Sequence, residues 1–140
     1  MLVDTHCHLF FDELKKDLDG VLSRAAALGV TKFICVGTNV EDSQHSYELS
    51  LKYENIFSTA GVHPHDSEEA PKDYLDQIKI LLKKPKVIAL GEIGLDYFKN
   101  ISDKKIQKNI FREQLELAQE INVPIVFHNR DSDNDILDTL

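Results

Sequence analysis

Short runs of apolar, β-prone residues alternate along this chain with longer stretches whose apolar positions recur every third or fourth residue. The runs Leu2–Thr5, Lys32–Val36, Ile56–Ala60, Val87–Leu90 and Pro124–Phe127 are too short for helices and mostly apolar on both faces, as strands of a covered parallel sheet are. Leu14, Leu18, Val21, Leu22, Ala25 and Leu28 predict a helix stopped by Gly29. Tyr74, Leu75, Ile78, Leu81 and Leu82 predict another, with Pro71 in its first turn. Ile106, Ile110, Leu117, Ala118 and Ile121 predict a third, closed by Asn122 and Pro124. A weaker helical pattern carrying Tyr47 and Leu51 runs from about Glu41 to Tyr53. No sequence repeat or low-complexity linker interrupts the series, so residues 1–140 read as one domain.

Strict alternation of strand and helix calls for a parallel α/β sheet with right-handed crossovers. A (β/α)8 barrel and a doubly wound sheet both satisfy it, and the chemically capable residues decide between them. They fall after the first strand (His6, His8), the third (His63, His65), the fourth (Glu92) and the fifth (His128, Arg130). Groups gathered from the ends of several strands characterise barrel enzymes, whereas a nucleotide-binding doubly wound sheet concentrates glycines after its first strand. That turn here is THCHLFF, with no glycine.

Composition narrows the partners. With 42% hydrophobic and 29% charged residues the chain is globular in character. Its net charge of −8 argues against broad electrostatic adhesion to nucleic acid or to an anionic membrane. An anionic substrate remains compatible, because bound divalent cations reverse the field in one pocket. Cys7 and Cys35 are too few for a disulfide scaffold, Cys7 alternates away from the histidines, and both read as small buried groups. With no signal-like N-terminus and no stretch long enough to span a membrane, a cytoplasmic location is expected.

The opening DTHCH is the most informative segment. In a strand, Asp4, His6 and His8 project to one side, and two imidazoles so placed can share a metal ion. Glu92, between Gly91 and Gly94 in ALGEIGLDY, and His128 would join them at one barrel mouth. A central carboxylate can bridge two metals about 3.5–4 Å apart, the spacing used for displacement at phosphorus. His6, His8, Glu92 and His128 are therefore the candidate metal ligands, and Glu92 and His63 the candidate catalytic groups. His63, in GVHPH, suits a phosphate donor or a proton carrier, and His65 a loop-ordering or substrate-contacting role. Arg130 either grips an anionic oxygen or pairs with Asp131 or Asp133. Asp4 and Asp96 suit the orientation of ligands. His45, in the polar stretch EDSQHSYE, receives no role.

Together DTHCH, GVHPH, ALGEIGLDY and FREQLELAQEINVPIVFHNRD, in this order, resemble the TatD-like metal-dependent deoxyribonucleases among the amidohydrolase-type hydrolases. The resemblance implies a (β/α)8 barrel that uses two divalent cations, Zn2+, Mg2+ or Mn2+, to hydrolyse the phosphodiester bonds of DNA. By it His6 and His8 would bind one metal, Glu92 would bridge, and His128 would bind the second. HNRD departs from the family's usual small residue between His and Arg. The family would also carry a histidine after strand six and a water-activating aspartate after strand eight. This sequence stops within the helix after strand five. The expected architecture is thus a barrel truncated there, with self-association or a further C-terminal segment covering its open edges. Two alternatives stay open: an amide, lactone or base hydrolase of the same barrel class, disfavoured because Glu92 stands where such enzymes carry a modified lysine, and a non-catalytic fragment that binds a metal or a partner.

Overall fold

In the computed structural model, which describes residues 1–140, five parallel strands stand side by side in chain order. They are β1 (Leu2–Cys7), β2 (Val30–Val36), β3 (Ile56–Ala60), β4 (Val87–Asp96) and β5 (Ile125–Arg130). Between them run α1 (Asp12–Lys15), α2 (Leu18–Ala27), α3 (Val40–Lys52), a 3-10 segment (Pro64–Glu69) leading to α4 (Tyr74–Leu82), and α5 (Lys104–Ile121), with α6 (Asp133–Thr139) after β5. The sequential order has a topological consequence. Right-handed crossovers that all step the same way put every helix on one face, so the sheet curls with its helices outside, as in a barrel. A doubly wound sheet would reverse direction from its first strand.

Three strands run further than their apolar cores suggest. β1 continues to Cys7, β4 to Asp96 and β5 to Arg130, so His6, Glu92, His128 and Arg130 lie within strands and not beyond them. The parallel ladder carries these polar ends: Gly94 pairs with His128, and Asp96 with Arg130.

The helices depart from the apolar pattern in instructive ways. The first expected helix breaks at Asp17, whose backbone leaves helical geometry (φ −136°, ψ 45°) while Arg24 reaches back to its carboxylate at 2.9 Å. Pro71 stands ahead of α4, its carbonyl accepting the N–H of Tyr74 at 3.0 Å. α3 buries Ser43, Ser46 and Ser50 and exposes Leu51. A methyl at Gly37 would fall 2.5 Å from the Ser43 hydroxyl, so the helix approaches the strand end too closely for larger side chains. α5 buries Gln107, Phe111, Gln114, Leu117 and Ala118 and leaves Ile106 exposed, one position off the expected stripe.

Two cores result. The larger, including Val62, Ile78, Leu90, Ile93, Leu95 and Phe111, packs α4 and α5 on β3 and β4. The smaller joins Leu9, Phe10, Leu18, Phe33, Cys35 and Ile56. Cys7, paired in register with Cys35, is half-buried, and its thiol donates to the Ile34 carbonyl at 3.3 Å. β1 and β5 are the outer strands, where Val3 and Phe127 are exposed. Ile88 is exposed too, whereas Ile34 and Val126 are half-buried. No helix is long and apolar enough to cross a membrane.

Candidate active site

Glycine makes the centre of the site possible. Gly91 (φ 153°) and Gly94 (φ 142°) flank Glu92, and a Cβ at either would collide with β5: 2.3 Å from the Val126 carbonyl oxygen and 2.0 Å from that of His128. The close approach they permit is that of a neighbouring strand. It brings His128 onto the Glu92 carboxylate, with Nδ1 to Oε1 at 3.0 Å.

Glu92 is buried and has imidazoles on both flanks. His6 Nε2 lies 3.1 Å from Oε2 and His63 Nε2 lies 3.9 Å from Oε1. Donor atoms of His6, His8 and Glu92 fall within 4.8 Å of one another, and so do those of His63, Glu92 and His128. Burial pushes the Glu92 carboxyl up, but the hydrogen bond from His128 and the charges of His63, His6 and His128 together outweigh it and hold the group at about 2. A buried, ionised carboxylate ringed by imidazoles is a donor set suited to divalent first-row cations.

Hydrogen bonds assign a proton to several rings. His8 Nδ1 lies 2.8 Å from the Val36 carbonyl, which can only accept, so this nitrogen carries the proton and Nε2 keeps a free lone pair. His63 has the opposite tautomer. Its Nδ1 accepts the backbone N–H of His65 at 3.1 Å, so the neutral ring presents Nε2–H toward the site. Burial holds the His63 imidazolium down at about 4, which keeps the ring neutral at ordinary pH. His63 thus offers a hydrogen-bond donor where ligation would require a lone pair.

Asp96, fully buried, is the hub behind His128. Its Oδ2 accepts from His65 Nε2 at 2.9 Å and from His128 Nε2 at 3.0 Å. Its Oδ1 accepts the backbone N–H groups of Phe98 and Lys99 at 3.1 and 3.0 Å. Burial opposes ionisation, yet these donors hold Asp96 at about 2. His128, clasped between Glu92 and Asp96, is raised above its ordinary value, chiefly by the Glu92 hydrogen bond. His65 carries its loop with it, because its carbonyl accepts Ser102 Oγ at 2.8 Å.

The remaining candidates are peripheral. Asp4 accepts the backbone N–H of His6 at 3.1 Å on the exposed strand. Arg130 pairs with neither Asp131 nor Asp133; its guanidinium lies 3.8 Å from the Phe98 ring centroid and stays exposed. Asp133 accepts instead from Asn129 Nδ2. The apolar pattern missed Gln107 and Gln114, buried on α5 and bonded to the backbone beside the site. The available signal was two polar residues two turns apart on a helical face that is otherwise apolar.

A family model described as TatD related DNase matches residues 3–140. The chain is 40% identical to the "Uncharacterized metal-dependent hydrolase YabD" of Bacillus subtilis, over all of this chain and 55% of that protein. It is also 40% identical to the "3'-5' ssDNA/RNA exonuclease TatD" of Salmonella typhimurium, over 94% of this chain and 50% of that one. The solved structure of YJJV, a TatD homologue from Escherichia coli, superposes with a TM-score of 0.91 at 33% identity, covering 96% of this chain and 53% of that one. The chain therefore spans about half the length of the relatives it matches.

Proposed function

The chain belongs to the TatD-related DNases, and from that premise we propose that it supplies the first five β/α units of a nuclease that hydrolyses phosphodiester bonds of DNA with two divalent cations. The observation that carries this reading is the buried Glu92 carboxylate, met by His6 from one side and by His128 from the other. His6 and His8 would hold one cation, His128 the second, and Glu92 both. Zn2+, Mn2+ and Mg2+ are the ions to test. When bound, such ions supply Lewis acidity and an activated water.

The chain's own residues do the rest. His63 donates its Nε2–H to a non-bridging phosphate oxygen, where negative charge builds as the attacking oxygen bonds to phosphorus. Arg130 offers a second, outer contact to phosphate. His128 keeps its orientation through Nε2–H donated to Asp96, the carboxylate–histidine arrangement that fixes a metal-binding ring. His65, held by the same carboxylate, sets the loop that carries His63.

The test is to incubate the protein, supplemented with a C-terminal part that completes the barrel, with single- and double-stranded DNA, bis-p-nitrophenyl phosphate, small amides and lactones in Mg2+, Mn2+ or Zn2+. Metal-dependent cleavage of DNA and of the diester, lost in Glu92→Ala, is the expected result. Turnover confined to amides or lactones would move the assignment to carbon chemistry. Metal binding with no turnover of any substrate would make the chain a binding fragment.

A further inference from the structure

Helix α5 carries two glutamines with no catalytic atoms in reach, and each is completely buried. Gln114 accepts the backbone N–H of Val62 through Oε1 at 2.8 Å and returns Nε2–H to the carbonyl of the same residue at 3.0 Å. Gln107 does the same to Asp96: Oε1 accepts its N–H at 2.9 Å, and Nε2 donates to its carbonyl at 3.1 Å and to that of Ser102 at 2.8 Å. A strand neighbour pairs with both backbone groups of one residue in this way. β3 ends at Ala60, so Val62, and Asp96 on the flank β3 would have covered, lie where that strand no longer offers partners.

We propose that Gln107 and Gln114 are positioning residues, acting as a surrogate strand end that sets two different parts of the site. Gln114 fixes Val62 and, through the next peptide, the neutral His63 ring that presents Nε2–H. Gln107 fixes Asp96 and, through its carboxylate, the orientation of His128 and His65. The two clamps lie two turns apart on one rigid helix, so α5 sets the spacing between the phosphate-facing donor and the second cation's ligand. The assignment of those two roles rests on the nuclease reading; the control of ring geometry does not.

The division of labour is testable with Gln107→Glu and Gln114→Glu, each of which keeps the acceptor and loses the amide donor, alongside the corresponding leucine variants. Four measurements serve: thermal unfolding, long-range 1H–15N spectra of the imidazoles in the metal-free protein, calorimetric titration with Mn2+ alone, and DNA cleavage. In Gln107→Glu the His128 and His65 signals shift, those of His63 stay, and Mn2+ affinity falls about 10–100-fold, as for other residues that orient a metal ligand. In Gln114→Glu the His63 signals shift toward a mixture of tautomers, and Mn2+ affinity changes by less than about threefold. DNA cleavage, where the wild type shows it, loses kcat at unchanged metal affinity. Folded variants with wild-type ring spectra, or both glutamines disturbing the same rings equally, would overturn the proposal. So would failure of all four variants to fold, which would assign both side chains to the core alone. A wild type that binds Mn2+ and keeps these ring effects but cleaves nothing would sink the nuclease reading and leave the clamps standing.

Discussion

On the β1 side of Glu92, His6 hangs from an outer strand with 41% of its side chain exposed, and its backbone N–H donates to Asp4. On the β5 side, His128 sits between two carboxylates, one of which, Asp96, is satisfied by four donors and backed by Gln107. The difference is one of second-layer support, since the residue types are the same. A ring locked by a buried, fully bonded neighbour keeps its orientation when it exchanges a proton for a cation, whereas an exposed ring must lose rotamer freedom on binding. The buried half of the site should therefore bind the first cation more tightly and the β1 half should follow.

The strongest way to break this contrast is to remove the group both halves share. Glu92→Ala is expected to weaken Mn2+ or Zn2+ binding by at least about 100-fold in calorimetry, more than any change behind the ligands achieves. An unchanged isotherm would show that Glu92 holds neither cation.

Asp96→Asn attacks only the supported half, because an amide has one accepting oxygen and cannot take both the two imidazole donors and the two backbone N–H groups that the two carboxylate oxygens take. A loss of about 10–100-fold in metal affinity is expected, with His8 signals unaltered in imidazole NMR.

Both halves end in an outer strand, which is a different liability. β1 and β5 present unpaired edges, and Phe127 is exposed beside one of them. Self-association is expected at micromolar concentration, weakened about tenfold by Phe127→Lys in sedimentation velocity, since burying such a ring is worth about 1.5–3 kcal/mol. A monomeric wild type would end that expectation.

Acid sharpens the comparison. Glu92 and Asp96, held at about 2, stabilise the metal-free fold above the ordinary carboxylate range and lose that contribution as pH falls toward 2. His63, lowered from 6.5 to about 4, resists protonation when folded, so its contribution is full above 6.5 and fades as pH falls to about 4. His128 has the opposite sign: its raised value stabilises the fold below 6.5 and ceases to do so as pH rises through that value. Thermal midpoints of the metal-free protein should fall progressively below pH 6 and steeply below pH 5. A profile flat from pH 7 to 4 would contradict the buried-half chemistry.

The smallest expected effect is that of Asp4→Asn, whose partner is one exposed backbone N–H. Metal affinity should change less than about twofold and stability within about 0.5 kcal/mol by thermal melts. A larger loss would mean that the β1 half is as strongly supported as the other.

The local pattern by itself determined the alternation of strands and helices, and it singled out His6 and His8, although β1 ends at Cys7 and leaves His8 beyond the strand. It also marked Glu92, through the glycines that only a crowded backbone demands. Tertiary structure decided what surrounds those groups. β4 and β5 run into the site because each supplies the other's ladder, and α3 turns serines inward because it lies so close to the sheet. Arg130, at the end of β5, stacks on Phe98 just beyond the end of the adjoining β4. Gln107 and Gln114 look misplaced on an apolar face until it is known where β3 ends. Which backbone N–H and C=O groups are left unpaired depends on the length of a neighbouring strand far away in the sequence, and buried polar groups must find partners wherever those gaps fall.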